Sequence, residues 1–294
     1  MVHEPPDVFW GDQLWREPEV LPEEILAGGV LDVDSRLLIT GNKKAGKSLL
    51  VQWLQFCLAE PRPFLLWDVP VARSSLYVQL EVGRLRVRQR SRKLSAGFAP
   101  DSRGRWAVWT QRSFQLVSGL PEVRRLVEER GIEVVIFDPL YLLHTSDENS
   151  NTEIATLLRL VDTMLDFTKA VVLVHHHGHG GDARGATNLT GWPDSWIKLE
   201  GERPAQEGLT VKTWFRNAED EGDFGIRLLR DPLRWEVQGP QAERDGATLL
   251  EKLPGKAADL VRATGWSQSK VYRVMDGLER QGLARKEKGL WLLA

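Results

Sequence analysis

Cysteine is nearly absent from this chain, and its scarcity excludes two kinds of site. Cys57 is the single cysteine among 294 residues, so the chain can form neither an internal disulfide nor a thiolate zinc centre. Its place in an apolar helical pattern predicts a buried structural thiol. A strong charge of one sign is also missing, because the net charge is −2. That balance argues against a protein that coats nucleic acid, although it permits local basic patches.

Long apolar runs are missing too. No segment approaches the length of a membrane span, and the first residues, MVHEPPDVFWGDQ, have neither the basic nor the apolar region of a secretory signal. We therefore expect a cytoplasmic protein with no membrane partner.

The sequence instead alternates apolar strands with helical patterns. Strands are predicted at 36–40, 75–81, 106–110, 132–139 and 170–175, and helices at 48–60, 121–130 and 152–169. This order predicts an α/β fold with a mostly parallel sheet flanked by helices. Four strand patterns after residue 192 lack helices between them, so we expect them to be antiparallel additions at one edge.

The same pass along the sequence predicts three parts. They are an N-terminal arm (1–35), an α/β core (36–240) and a small, mostly helical domain (241–294), with a polar, flexible linker at 238–246.

The segment GNKKAGKS, residues 41–48, satisfies the phosphate-binding pattern G-x-x-x-x-G-K-[ST] between a strand and a helix. Its glycines let backbone N–H groups surround a phosphate, and the helix N-terminus adds a favourable dipole. We expect Lys47 to reach the β and γ phosphates of ATP and Ser48 to bind Mg²⁺. The predicted nucleotide-binding residues are Gly41, Asn42, Lys43, Lys44, Ala45, Gly46, Lys47, Ser48 and Leu49.

Two carboxylates follow buried strands. Asp138 ends the run VVIF and fits the Walker B role of holding Mg²⁺, although an aspartate that only caps the Pro139 turn would look the same. Glu81 ends SLYVQLE, and the carboxyl edge of a parallel sheet is also the side on which the phosphate loop opens. Glu81 is therefore a candidate for orienting the attacking water.

Four of the six histidines, His175, His176, His177 and His179, lie within five residues. Neighbouring side chains of a strand face opposite sides, so a strand that continues through them could not easily gather them around one zinc ion. We therefore do not expect a shared zinc site here.

Together, GNKKAGKS, SLYVQLE, VVIFDPLYLL, VHHHGHGGDARGATNL and VKTWFRN resemble the RecA-like P-loop ATPases, and among them the RepA-type replicative helicases and related phage ATPases. The resemblance covers about residues 30–237. It implies that Glu81 is the catalytic glutamate on a strand next to the phosphate-loop strand, and that Asp138 is the Walker B aspartate. It also implies that His175 or His176 senses the γ-phosphate. The family's lysine after the histidine pair is missing here.

The resemblance further implies a ring, usually a hexamer, with ATP between subunits. Arg216, in VKTWFRN, would be the arginine finger for the neighbour's site, with Lys212 beside it. Arg184 is the rival candidate, and a solvated strand-end arginine is the alternative for Arg216. A primase or polymerase is a candidate partner.

Single-stranded DNA would contact loops that line the central channel, here 144–151 and 178–191. The second loop is rich in glycine and carries Arg184 and Asn188 as candidate phosphate contacts. The stretch 84–93 holds six basic residues that spread over more than one helix face, which favours a solvated or subunit-facing helix over a dedicated DNA groove.

The C-terminal residues 257–294 predict a winged helix, whose candidate DNA contacts are Lys270, Arg273 and, in the wing, Lys286. Residues 246–294 hold nine Lys or Arg and five Asp or Glu, a net charge of +4, whereas the rest of the chain carries −6. That excess supports a duplex DNA contact, although such modules also dock proteins.

We therefore predict an ATP-hydrolysing, ring-forming replicative DNA helicase of a plasmid, phage or mobile element. Two alternatives remain: a recombination or repair ATPase that binds DNA without unwinding it, and an ATP-switched winged-helix regulator.

Overall fold

The computed structural model describes residues 11–16, 21–145, 150–176, 187–219, 222–266, 271–272, 274–275, 278–279, 282–287 and 289–294. Its strands are β1 (Glu24–Leu26), β2 (Leu31–Asp32), β3 (Ser35–Gly41), β4 (Ser75–Gln79), β5 (Trp106–Trp109), β6 (Val134–Asp138), β7 (Ala170–His176), β8 (Ser195–Glu200), β9 (Leu209–Phe215), β10 (Phe224–Arg230), β11 (Leu233–Pro240), β12 (Gly255–Lys256), β13 (Ala284–Glu287) and β14 (Leu290–Leu293). Its α-helices are α1 (Gly11–Arg16), α2 (Lys47–Ala59), α3 (Arg84–Leu94), α4 (Leu116–Arg130), α5 (Asn151–Asp162), α6 (Thr187–Gly191), α7 (Gln241–Leu250) and α8 (Ala257–Thr264).

A nine-stranded sheet in the order β11-β10-β9-β8-β3-β7-β6-β4-β5 forms the centre of the larger domain. The six strands from β8 to β5 are parallel, and β9, β10 and β11 are antiparallel. The phosphate-loop strand β3 lies inside the parallel part, because β3, β7 and β6 are apolar on both faces and need cover on both. This arrangement confirms the predicted α/β fold with antiparallel strands at one edge.

Helices cover the two faces of the sheet with separate apolar layers. One layer packs α2 against the faces of β3, β6 and β7 that carry Ile39, Ile136 and Val174. The other packs α4 and α5 against the opposite faces, which carry Phe137 and Leu173. The side on which a strand residue points therefore decides which layer it joins.

Two predictions about strand placement were wrong. SWIKLE, expected to be antiparallel, is β8 and pairs in parallel with β3. The strand of Glu81, β4, does not adjoin β3, because β7 and β6 lie between them. The fully apolar strands occupy the middle of the sheet, where both of their faces and both of their edges are buried.

Two predictions about connecting segments also differ from the structure. Within the predicted arm, Ile25, Leu26 and Leu31 form the small sheet β1–β2 and are buried in the main core. The predicted linker 238–246 is instead the end of β11 and the start of α7. The apolar residues of the arm explain its packing, because Ile25, Leu26 and Leu31 are removed from water in that core.

The C-terminal residues form a small domain with its own core. Strands β12, β14 and β13 make a three-stranded antiparallel sheet, and the described residues between 271 and 279 are helical. Leu249, Leu260, Met275 and Trp291 pack together in its core. The helices and the wing match the predicted winged helix. Among the described residues, no helix is both long enough and apolar enough to cross a membrane.

Candidate functional site

The predicted phosphate loop joins β3 to α2, and its backbone has the conformation that the motif requires. Gly41, Lys44 and Gly46 all have positive φ, at 158°, 69° and 85°. A Cβ atom on Gly41 would lie 2.8 Å from the carbonyl oxygen of Leu199, and one on Gly46 would lie 3.1 Å from the ring of Trp235. Both glycines are therefore required by conformation and by space, and together they place the loop at the N-terminus of α2.

Lys47 is held inside this loop. Only 3% of the residue is exposed, and its Nζ donates hydrogen bonds to the carbonyl oxygens of Gly41 (2.7 Å) and Asn42 (2.8 Å). Burial lowers the pKa of Lys47 to about 8, although the charges of Asp138 and Glu81 oppose the shift. The ammonium group is thus held by two neutral carbonyl oxygens. A phosphate bound in the loop would give it an anionic partner instead.

Asp138 is the best-connected carboxylate of the site. It is 1% exposed, and its Oδ2 accepts hydrogen bonds from Tyr77 Oη (2.5 Å) and Gln79 Nε2 (3.0 Å). Burial raises its pKa, whereas hydrogen bonds from Tyr77, Ser48 and Gln79 lower it, with burial dominant. Since the Ser48 side chain is among the groups that lower the pKa of Asp138, the hydroxyl and the carboxylate expected to hold Mg²⁺ lie near each other, and both are oxygen ligands that this ion accepts.

Sequence reasoning missed Tyr77 and Gln79. Both lie on β4 and point to the same face of the sheet as Asp138, since side chains two residues apart share a face. Burial and Asp138 together raise the pKa of Tyr77 far above its ordinary value. The signal available in the sequence was the alternation of polar and apolar residues in SLYVQ. The structure shows that all five residues are buried, the polar ones included.

Gln79 also connects Asp138 to the turn that carries Glu81. While its Nε2 binds the carboxylate, its Oε1 accepts the backbone N–H of Val82 at 2.5 Å. The amide therefore binds both Asp138 and the backbone next to Glu81, and it adds to the pairing of β4 with β6 at this end of the strands.

Glu81 lies at the mouth of the site rather than inside it. Its side chain is 47% exposed, and its Oε2 is 3.9 Å from His176 Nε2. Tyr141 Oη donates to its Oε1 at 3.4 Å, and the ring of Tyr141 packs against His176 at a centroid distance of 5.6 Å. The candidate catalytic glutamate is therefore in contact with one of the two candidate sensors.

The two histidines at the end of β7 point to opposite faces. His176 is in register with Gly41 and shares a face with Val172 and Val174, on the side of α2. His175 is in register with Thr40 and points to the layer of α5, where it is 2% exposed. Of the pair, only His176 faces the phosphate loop of its own chain. His177 and His179 lie outside the described residues.

Arg216 lies at the opposite end of the strands from the phosphate loop, where the parallel strands begin. It ion-pairs with Asp194 at 3.3 Å and donates to the carbonyl oxygen of Gly191. Asp194 also binds Arg36, at the start of β3. Because Arg36 and Gly41 are five residues apart on one strand, Arg216 is about 17 Å from the phosphate loop of its own chain. Its companion Lys212 is ion-paired with Glu200.

Helix α3 carries the basic stretch that follows Glu81. One side of it, with Arg86, Arg90 and Lys93, lines a cavity of about 410 Å³ that reaches Leu49 at the start of α2 and Arg230 on β10. The proximity of this helix to the start of α2 was not predictable from its sequence.

The candidate DNA contacts are only partly within the described residues. Arg184, Lys270 and Arg273 lie outside them, and Asn188 belongs to the short helix α6. Lys286 lies on β13 in the wing, with its Nζ over the rings of Tyr272 (5.2 Å) and Trp291 (5.1 Å). These rings hold the lysine at the wing surface.

Cys57 behaves as predicted. It is fully buried, and burial raises the pKa of its thiol to about 12. A thiol of this kind is a packing residue rather than a nucleophile.

Comparisons with known proteins concern the fold and the family of the chain. The chain is similar in structure to a KaiC-like protein from the hyperthermophilic archaeon Pyrococcus horikoshii OT3, with a TM-score of 0.51 and 15% sequence identity over 73% of this chain and 93% of that one. At that identity the similarity concerns the fold alone. No curated protein matches the sequence.

Two family models match separate parts of the chain. Residues 247–290 match the family described as sugar-specific transcriptional regulator TrmB, which coincides with the winged helix. The model of the AAA domain family matches residues 3–182, a segment that includes the phosphate loop, Glu81 and Asp138. Since that match covers well over half of the sequence, the chain belongs to the AAA domain family, with a RecA-like P-loop ATPase core and a C-terminal winged helix.

Proposed function

We propose that this protein is an ATP-hydrolysing motor that moves on single-stranded DNA and forms a ring, as replicative helicases do. One observation carries the proposal: Lys47, the Ser48–Asp138 pair, Glu81 and His176 converge at one edge of the sheet. A phosphate site, a metal site, a candidate base and a candidate sensor are the parts that nucleotide hydrolysis coupled to movement requires.

ATP binding would begin with the phosphate loop. Its backbone N–H groups and the N-terminus of α2 receive the β-phosphate, and Lys47 exchanges two carbonyl partners for phosphate oxygens. Ser48 and Asp138 would hold Mg²⁺, which would supply a Lewis acid to the phosphates of ATP. Tyr77 and Gln79 keep the carboxylate oriented during the exchange.

Glu81 has the exposure and position expected for the residue that orients the attacking water. A half-exposed carboxylate with no strong donor keeps an acceptor oxygen available for the water proton. The Gln79 amide holds the turn of Glu81 against Asp138, so the water and the metal would keep a fixed relation.

His176 is the better candidate for sensing the γ-phosphate. It faces the phosphate loop, touches Glu81 and is the last residue of β7, and residues 177–186 lie between it and α6 in the sequence. Hydrolysis would change the charge beside this imidazole, and the residues that follow would carry the change to the proposed DNA-contact segments 144–151 and 178–191. His175, on the other face, would support the same strand end from below.

The nucleotide base has a candidate place in the cavity beside Leu49. The cavity adjoins the start of α2, and its lining combines Leu228 and Leu233 with the guanidinium of Arg86. Such a surface suits a flat, polar-edged ring.

Arg216 supports the ring because it cannot serve its own site. It lies about 17 Å from its own phosphate loop, yet it is half-exposed on the surface of the sheet. In a closed ring the same residue would reach the ATP of the neighbouring subunit, and an arginine supplied in this way raises the rate of hydrolysis by about 10³–10⁵. We propose a hexamer with ATP between subunits, and a primase or polymerase as its partner in replication.

A second function is favoured by the match of residues 247–290. The family matched there is named for transcriptional regulators, so an ATP-switched regulator that binds duplex DNA through Lys270, Arg273 and Lys286 is the alternative. A recombination ATPase that binds DNA without unwinding it would use the same ATP site.

Strand displacement on forked DNA separates these functions. The helicase proposal expects ATP-dependent displacement by the wild-type chain and none by Lys47→Ala or Glu81→Gln, while Glu81→Gln still binds ATP. ATP turnover stimulated by single strands without displacement would favour the recombination ATPase. Turnover that single strands leave unchanged, with tight duplex binding, would favour the regulator.

A subunit-mixing experiment tests Arg216. Lys47→Ala keeps its arginine and Arg216→Ala keeps its phosphate loop, so a mixed ring contains some interfaces with both halves intact. We expect the mixture to hydrolyse ATP faster than either variant alone. A native mass that stays monomeric at every concentration, with nucleotide and DNA present, would overturn both the ring and the arginine finger.

A further inference from the structure

A second groove lies along α3, and it shares no lining residue with the cavity beside Leu49. The groove has a volume of about 670 Å³ and runs between α3 and the edge strand β5. Its lining contains four exposed arginines, Arg84, Arg88, Arg92 and Arg103, and no acidic residue. Such a concentration of one charge in a concave surface raises the local concentration of anions.

These arginines lack ion-pair partners within the described part of the chain. Exposed arginines elsewhere, such as Arg124 and Arg125 on α4, are paired with glutamates of their own helix. The basic side of α3 is therefore not the usual salt-bridged surface of a solvated helix. Four unpaired guanidinium groups around one groove repel each other, and an anionic ligand would remove that cost.

Their spacing fits a regular polyanion. Arg84, Arg88 and Arg92 follow each other at four-residue intervals on one face of a helix, which places them about 6 Å apart along the axis. Successive phosphates of an extended nucleic-acid strand are separated by a similar distance. Three arginines in a row therefore match three neighbouring phosphates.

The wall opposite the arginines suits bases. Trp106 and Val108, on β5, are half-buried and give the groove an apolar side next to the cationic one. Trp106 is kept in place by an edge-to-face contact with Phe56 at 5.0 Å, so it presents a fixed surface. A charged rail beside an aromatic wall is the usual pattern for binding a single strand without sequence preference.

We propose that this groove binds the phosphate backbone of single-stranded nucleic acid, as a second binding surface apart from the channel loops and the winged helix. The strand would enter beside Arg84, three residues after Glu81, and leave beside Arg92 and Arg103. The site rests on the proposed function only in having nucleic acid as its partner, and it requires no ATP hydrolysis.

The test uses the full-length chain with Arg84→Ala, Arg88→Ala and Arg92→Ala combined. Alanine is the best helix former, so α3 should stay folded, and circular dichroism checks this. The matched control removes three arginines from another exposed helix: Arg124→Ala, Arg125→Ala and Arg130→Ala. Fluorescence anisotropy with labelled oligo(dT) and oligo(U) is recorded over a series of salt concentrations, without nucleotide and in a Lys47→Ala background.

We expect the α3 variant to bind the oligonucleotides more weakly than the control. The slope of log K against log salt should fall by about 2, because each neutralised phosphate of a single strand contributes about 0.7. Replacing the same arginines with lysine should restore most of the slope. Comparable loss with oligo(dT) and oligo(U) would identify the backbone, while loss with one only would identify the sugar as a further contact.

Two results would overturn the proposal. One is an unchanged salt slope in the α3 variant, which would show that the strand contacts the protein elsewhere. The other is equal binding of polyglutamate with an equal loss in the variant, which would assign the groove to an acidic protein. If the wild-type chain neither turned over ATP nor displaced a strand, while the groove still bound oligonucleotides, the motor function alone would be contradicted. The two failures are distinguishable because binding is measured in the Lys47→Ala background, where ATP hydrolysis plays no part.

Discussion

Tyr77→Phe tests how Asp138 is kept ready for a metal ion. The variant removes one hydroxyl and leaves the ring in the core, so the packing around β4 is unchanged. In the native protein Tyr77 donates to Asp138 at 2.5 Å, and both side chains are buried. A hydrogen bond to a charged group contributes about 1.5–3 kcal/mol to stability, and a neutral one about 0.5–1.5 kcal/mol.

The sign of the pH dependence follows from the ionisation of Asp138. Burial raises its pKa and the Tyr77 hydrogen bond opposes that shift, so the variant raises the pKa further. At neutral pH the carboxylate loses a charge-assisted bond, and we expect a stability loss of about 1.5–3 kcal/mol. As the pH falls through the pKa of Asp138, the group becomes neutral in both proteins and the loss shrinks to about 0.5–1.5 kcal/mol.

The assay is urea unfolding of both proteins at neutral pH and at an acidic pH where the native chain stays folded. Tyr141→Phe is the control, since its hydroxyl is 3.4 Å from the exposed carboxylate of Glu81 and its removal should change stability little. A Tyr77→Phe loss that is the same at both pH values, or is absent at neutral pH, would show that the hydroxyl does not stabilise the ionised Asp138.

Three further predictions concern the loop and the core beneath it. ATP binding just above pH 8 should take up protons, because the pKa of Lys47 is about 8 in the free site and phosphates raise it; calorimetry that is independent of buffer ionisation heat would contradict this. Gly46→Ala should weaken ATP binding in a nucleotide-binding titration and lower the free energy of unfolding by about 1–2 kcal/mol. The reason is that φ of Gly46 is 85° and the new methyl group would lie 3.1 Å from Trp235. Unchanged affinity would show that the loop tolerates the methyl group. Burial alone would raise the pKa of Glu133, but hydrogen bonds, that of Arg73 first among them, lower it from 4.5. Arg73→Met should therefore lower the free energy of unfolding by about 1.5–3 kcal/mol at neutral pH, the contribution of a hydrogen bond to a charged group, and by progressively less as the pH falls below 4.5. Denaturant unfolding at several pH values measures this. A cost that does not change with pH would remove the ion pair as its cause.

Local patterns predicted the phosphate loop because its residues are contiguous. The loop of Gly41 to Ser48 depends on backbone conformation, which glycine spacing determines directly. Asp138 and His176 were predictable as strand ends, since apolar runs that stop at a polar residue mark the edge of a parallel sheet. Their roles in hydrolysis remain predictions that the proposed assays test.

Contacts across strands were not predictable in the same way. Gln79 and Tyr77 looked like ordinary strand residues, and their role depends on β4 lying beside β6, an order that the sequence does not state. Likewise, the basic stretch of α3 has the same composition whether its arginines are paired or not, and only the groove beside β5 distinguishes the two.

The sequence by itself determined the α/β class, the phosphate loop with Lys47 and Ser48, and the C-terminal winged helix, because each depends on local periodicity and backbone conformation. Only the tertiary structure decided which histidine faces the loop, how Tyr77 and Gln79 connect Asp138 to the turn of Glu81, and that Arg216 lies far from its own site. These are relations between segments distant in sequence, and they depend on the order of strands in the sheet. That order follows from packing, because the most apolar strands lie at the centre of the sheet.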